Sequence, residues 1–174
     1  MEQTMSEKEM MDAWMKAAAV GPQHELLAKH VGNWNAAMKM MMDPSQPAQE
    51  FTGSAKYSMI MGGRFLQEEF ESSMGGMAFN GLGTTGFDNL SGKFWLTWID
   101  NAATGILWAN GSLSADGKVL TLNGKVNKAY PQELGADMKC VYKLISDDKF
   151  IFETYDKVGT PQEFCSMEIT YTRK

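Results

Sequence analysis

A chain of 174 residues, 44% hydrophobic and 21% charged, has a globular composition and length enough to bury a core without metals or disulfides. Its net charge of -5 and its scattered Lys and Arg residues exclude a nucleic-acid or anionic-membrane partner as the expectation. No apolar run approaches the roughly 18 residues of a membrane span, the acidic start is unlike a signal peptide, and two cysteines without paired spacing suit a reducing compartment, so one cytoplasmic domain over 1–174 is expected.

The first elements read as helix, over 5–31. "SEKE" offers Ser6 as N-cap with Glu9 three residues on, a capping box. Met10, Met11, Trp14, Met15 and Ala18 then form one apolar stripe at helical spacing. Gly21 breaks the helix, and Pro22 opens a second, "PQHELLAKH", with Leu26, Leu27 and His30 on one face. From 33 onward the period falls to 2. Trp34, Ala36, Met38 and Met40 alternate with Asn35, Ala37 and Lys39. After the turn "DPSQP", Phe51 to Met61 alternates again, with Tyr57 and Met59 on the inner face. Gly62-Gly63 reads as a two-residue hairpin, with Arg64 beginning a third strand that ends near Ser72. Further strands are predicted near 76–87, 93–100, 105–113, 118–126, 137–145, 149–157 and 163–172. Short turns join them, except for the longer connection "NKAYPQELGA". About ten antiparallel strands in sequence order, with no crossover helix, predict a mainly β fold. An up-and-down barrel over 33–174 closes the sheet edges, and the N-terminal helices cap one end.

"GLGTTGFDNLSGKFWLTWIDN" combines glycines that let a strand coil with Phe94, Leu96 and Trp98 to fill one side of the next. Fifteen methionines suit an adaptable or partly hollow interior. "HELLAKHVGNWN", the glycine-rich stretch just quoted and the terminal "MEITYTRK" together resemble the bacterial domain-of-unknown-function family 1579, over roughly residues 23–174. The resemblance implies a lipocalin-like, calycin-type barrel, and it brings no activity or site residues with it.

"HELLAKH" is not the zinc motif H-E-x-x-H. His24 and His30 stand about 240° apart on a helix, which makes His24 a surface residue and His30 half-buried. No metal or cofactor is expected. Cys140 and Cys165 lie on strands separated by a third, roughly 9.6 Å apart and beyond disulfide reach. Both are read as buried, inward-facing thiols.

The candidate site consists of polar and aromatic groups on predicted inward faces: Tyr57, Glu68, Trp98, Asp100, Trp108, Asn110, Tyr142 and Tyr171. A buried carboxylate needs a partner or takes up a proton, and Arg64 is the partner expected for Glu68. A structural ion pair, or a bulge that turns Glu68 outward, stands beside the functional reading. The leading expectation is non-catalytic binding of a small apolar or amphipathic molecule inside the barrel. The alternatives are an enzyme using Glu68 or Asp100 as general acid or base, and an interaction protein with a filled barrel. In the last case the Trp14 stripe would serve a surface contact, such as a homodimer.

Overall fold

The protein is described by a computed structural model over residues 5–129 and 132–174. Helix α1 (Glu7–Ala18) and helix α2 (Pro22–Ala28) precede ten strands: β1 (Gly32–Met40), β2 (Gln49–Ile60), β3 (Phe65–Met74), β4 (Met77–Asp88), β5 (Lys93–Asp100), β6 (Leu107–Leu113), β7 (Val119–Lys128), β8 (Glu133–Ser146), β9 (Lys149–Asp156) and β10 (Phe164–Arg173). Each strand pairs antiparallel with the next, and β1 closes on β10. Closure leaves no open edge to template aggregation.

The alternation in β1, β2 and β3 is the one read from sequence. Trp34, Met38, Tyr57, Leu66, Phe70 and Tyr171 are buried, and Lys39, Lys56 and Glu69 are exposed. Met59, Trp98 and Tyr142 are partly buried against the core. Lys143 points outward, held by Glu153.

Several details differ from the sequence reading. The β2–β3 connection is the four-residue turn Met61–Arg64, with positive φ at Met61 (50°), Gly62 (66°) and Gly63 (84°). Arg64 therefore belongs to the turn, not to the strand. Strand β6 has the opposite register, with Leu107, Ala109, Gly111 and Leu113 inward and Trp108 52% exposed. Large neighbours such as Phe94, Leu96 and Leu122 already fill the interior there, so the two middle inward places fall to the small residues Ala109 and Gly111. Gly111 itself leaves no room for a side chain, because an added Cβ would meet the Thr121 carbonyl at 1.9 Å. The connection read at "NKAYPQELGA" is largely strand: β7 runs to Lys128 and β8 starts at Glu133, while Tyr130 and Pro131 lie outside the described residues. Lastly, a bulge between Cys165 and Met167 pairs Cys165 with outward-facing Tyr155, so Cys165 is on the outer wall. Cys140 is buried inside, with its thiol pushed up to about 12 by burial, and both cysteines are free.

The glycines of β4 have a definite use. A Cβ at Gly81 would lie 2.1 Å from Trp98 Cζ2, and one at Gly86 would lie 2.5 Å from Trp95 Cζ2. Each glycine lets an indole lie against the strand, Trp98 on the inner wall and Trp95 on the outer.

Helix α2 covers one mouth of the barrel, fixed at both ends. At its start, His24 Nδ1 accepts from the Gly21 amide at 3.1 Å, and the ring packs edge-on against Phe87. His24 is therefore buried (3% exposed), not on the surface, because it serves as cap and core at once. At the other end, Arg173 stacks on Trp34 with its guanidinium carbon 4.3 Å from the ring centroid. It donates to the carbonyls of Val31 (2.8 Å) and Lys29 (2.9 Å). Trp34 Nε1 donates to His30 O at 2.8 Å.

Candidate functional site

Three of the sequence-chosen residues stand in one row across the inner wall. Tyr57 on β2 pairs with Glu68 on β3, Glu68 with Gly83 on β4, and Gly83 with Trp98 on β5. A Cβ at Gly83 would meet Glu68 Oε2 at 3.2 Å and Trp98 Cε3 at 3.3 Å. The glycine thus makes the floor on which the carboxyl and the indole meet. From β10, the Tyr171 hydroxyl donates to Glu68 Oε1 at 2.9 Å.

Glu68 is 6% exposed, and among the described residues no cation influences it. Burial is the dominant influence and pushes the carboxyl up to about 7, against the pull of the Tyr57 and then the Tyr171 hydroxyl. Burial, followed by the charge of Glu68, holds the Tyr57, Tyr142 and Tyr171 phenols well above the ordinary range. The Tyr57 hydroxyl is near enough to Glu68 to influence it, yet it is buried with no hydrogen-bond partner among the protein atoms. The bond with good geometry is that of Tyr171.

Tyr57 and Tyr142 open onto a cavity of about 30 Å³, lined otherwise by Thr85, His30 and apolar side chains that include Leu26, Leu66 and Leu144. That is room for one or two water-sized groups. A larger cleft of about 310 Å³ lies outside it, between α2 and the β8–β9 turn, reaching Lys29, Trp34, Lys118, Ile145 and Phe150. Both spaces share Leu26, His30 and Leu144, so these three side chains form the partition. The His30 ring, edge-on to Phe150, donates from Nδ1 to Leu27 O at 3.3 Å. Burial lowers its pKa, which favours the neutral ring with Nε2 left as an acceptor.

The remaining candidates fall away from this group. Arg64 is not the partner of Glu68. Its Nε donates to Ala18 O (3.0 Å) and its guanidinium to Met61 O (3.2 Å), because the turn carries it out of the strand. Asp100 faces inward nearer the opposite mouth, where it accepts from Trp98 Nε1 (2.8 Å) and the Ala102 amide (2.9 Å). Trp108 and Asn110 lie on the outer wall, a consequence of the reversed β6 register. His30 and Thr85 escaped the sequence reading. From sequence His30 reads as a half-buried residue beside Leu26 and Leu27 with no role beyond packing, and a threonine alternating with glycines gives no chemical signal. Among the described residues, no three His, Cys, Asp or Glu side chains are placed to hold a metal ion, and no helix is long and apolar enough to cross a membrane.

Fold and interior together define a small closed up-and-down β-barrel with a tyrosine-ringed carboxyl group inside. The chain belongs to the family described as "Protein of unknown function (DUF1579)", whose profile matches residues 19–173. No curated protein matches it. Among solved structures it is similar to the crystal structure of Rv2717c from M. tuberculosis. The two share 16% identity over 90% of this chain and 99% of that one, with a TM-score of 0.65, a likeness of fold alone.

Proposed function

We propose that the protein binds, without transforming it, a small and largely apolar molecule carrying one uncharged hydrogen-bonding group. The polar group meets the Tyr57 hydroxyl and Glu68, and the apolar body occupies the space beside α2 once Leu26, His30 and Leu144 yield. The observation that carries this reading is the Tyr57 hydroxyl: it lies buried beside Glu68 without a well-aligned partner among the described residues, and a ligand group that supplies one is favoured. The outer cleft, at about 310 Å³, is of ligand-pocket size, whereas the inner cavity alone is not. A protonated Glu68 donates to a carbonyl or hydroxyl oxygen, and the absence of a nearby cation disfavours a carboxylate there.

A second reading rests on Glu68 alone. A carboxyl near 7 is poised for general acid–base work. Asp100 no longer shares that role, since its oxygens are engaged by Trp98 and Ala102.

Thermal melting with a panel of fatty alcohols, small aromatic ketones and isoprenoid alcohols tests the proposal. A ligand at a hundredfold excess over its dissociation constant adds about 2.7 kcal/mol, which raises Tm by roughly 5–10 °C for a chain of this size. A panel without any shift would remove the binding reading. Turnover of a bound member that Glu68→Gln abolishes, with binding kept, would replace it by the catalytic one.

A further inference from the structure

The outer wall of the barrel changes character at β4, β5 and β6. On the flanking strands, Glu69 of β3 and Lys125 of β7 face out, each paired with an opposite charge on its other neighbour, Lys56 and Asp137. Among the described residues, the charges facing out from β4, β5 and β6 are Asp88 and Lys93 alone, opposite each other at the strand ends. Between the flanks lies a neutral block that carries two indoles. Trp95 stands opposite Asn110, and Thr97 opposite Trp108. The two tryptophans therefore occupy one diagonal of the block, and an amide and a hydroxyl occupy the other. Diagonal neighbours on a sheet face are about 7–8 Å apart, so one ligand can touch both rings. Trp108 is 52% exposed. Trp95 is half-buried, because its indole lies over Gly86 and meets the Phe65 ring at 5.6 Å between centroids. The bare backbone beneath it and the phenylalanine beside it hold that indole in place.

The chemistry of the block selects its occupant. The face of an indole is the negative side of its quadrupole and attracts the weakly positive C–H face of a pyranose ring. The hydroxyls of that ring project from its edge, toward the side chains next to the indole. Asn110 supplies both donors and an acceptor there, and the Thr97 hydroxyl supplies one of each. A charged partner finds no counter-charge on the block. A dry contact with a second copy has to re-pair Asn110 and Thr97, with no ion pair to fix its register. Binding to a membrane surface uses a basic face, which one lysine at a strand end does not make. A neutral saccharide meets all of these conditions.

We propose that the outer wall of β5 and β6 is a saccharide-binding platform, on which neutral hexose units stack against Trp108 and Trp95 while Asn110 and Thr97 hydrogen-bond their hydroxyls. The site is separate from the barrel interior. It is open and shallow, so it covers far less of its ligand than an enclosed pocket does, and binding is weak and rapidly reversible.

Saturation-transfer NMR of the full chain with cellohexaose and with maltohexaose tests this, and it suits weak ligands. At least one of the two should bind, with the strongest transfer to the ring C–H protons. Trp108→Ala should melt like the parent, since its indole is largely exposed, and should bind roughly tenfold more weakly, the scale of one lost aromatic stack. Trp108→Phe keeps an aromatic face and should retain most of the affinity. Asn110→Ala should bind a few-fold more weakly. Trp14→Ala, at the exposed indole of α1, should bind like the parent. Added salt should leave the affinity unchanged, since no ion pair takes part. Absence of transfer to both saccharides overturns the proposal. So does a Trp108→Ala chain that binds like the parent, or a Trp14→Ala chain that loses as much as Trp108→Ala. A parent that sediments as a dimer, and that Trp108→Ala turns into a monomer, would overturn it too and assign the wall to a second copy.

Discussion

Two buried carboxylates sit on opposite sides of the same barrel wall, and their surroundings differ in kind. Glu153, 5% exposed on the outer face of β9, is bonded to Lys143 Nζ at 2.5 Å and accepts from the Tyr155 hydroxyl at 2.8 Å. Glu68, 6% exposed on the inner face of β3, has one tyrosine bond and no cation. The first is what a structural ion pair looks like: charge matched, remaining lone pairs satisfied. The second is held by tyrosine hydroxyls alone, amid mostly apolar neighbours and beside the Tyr57 hydroxyl, which lacks a well-aligned partner among the described residues. That contrast is the basis for proposing Glu68 and Tyr57 as the polar end of a binding site.

The largest effect that separates the two is the pH dependence of stability. The folded protein keeps the Glu68 proton to about pH 7, whereas the ordinary carboxyl value is 4.5. Between those values the folded state binds more protons than the unfolded chain, so stability falls as pH rises through the window and levels off above it. A shift of this size corresponds to about 3 kcal/mol. Urea unfolding at about pH 5 and about pH 8 should show that loss in the parent and not in Glu68→Gln. Equal slopes in both proteins would mean that Glu68 is ionised like a surface acid.

Next in size is the outer pair. Lys143→Met leaves Glu153 buried without its cation, and losing a partner from a fully buried pair costs about 3–5 kcal/mol. Lys143 is 40% exposed, so solvent screening reduces the expected loss to about 1–2 kcal/mol. Chemical denaturation of the variant checks the value, and a neutral result would erase the distinction between the walls.

The tyrosines give the smallest and most discriminating effects. Tyr171→Phe removes a made hydrogen bond and should cost about 1 kcal/mol. Tyr57→Phe removes an unmet buried hydroxyl and should be neutral or stabilising by up to about 1 kcal/mol. Equal losses for both would show Tyr57 to be structurally bonded.

Much of this was legible in the sequence because period-2 alternation is a strong signal wherever one face is apolar and the other charged. Strands β1, β2 and β3 have that character, so Tyr57 and Glu68 were placed inward correctly, and the matching alternation in β8 and β10 gave Tyr142 and Tyr171. Strand β6 reads "LWANGSL", with no charged residue on either face to mark the outer one. Its register depends on how full the interior already is, a long-range property, so Trp108 and Asn110 were assigned to the wrong face. Cys165 was misplaced by a one-residue bulge, which inverts a strand end without a sequence mark. Arg64 was misplaced because two glycines made a four-residue turn look like a two-residue one. His24 and His30 were weighed against each other as metal ligands, and their separate uses, as helix cap and as partition, depend on contacts with Phe87 and Phe150 far along the chain.

On this reading the interior takes a ligand whose polar group pairs with Tyr57 and Glu68. Isothermal titration tests it most directly, using the panel molecule that most stabilises the parent and comparing parent with Tyr57→Phe under identical conditions. The expected result is one molecule bound per chain and an affinity roughly tenfold weaker in the variant, about 1.4 kcal/mol, although the variant is itself at least as stable as the parent. Equal affinities for the two proteins would contradict the account.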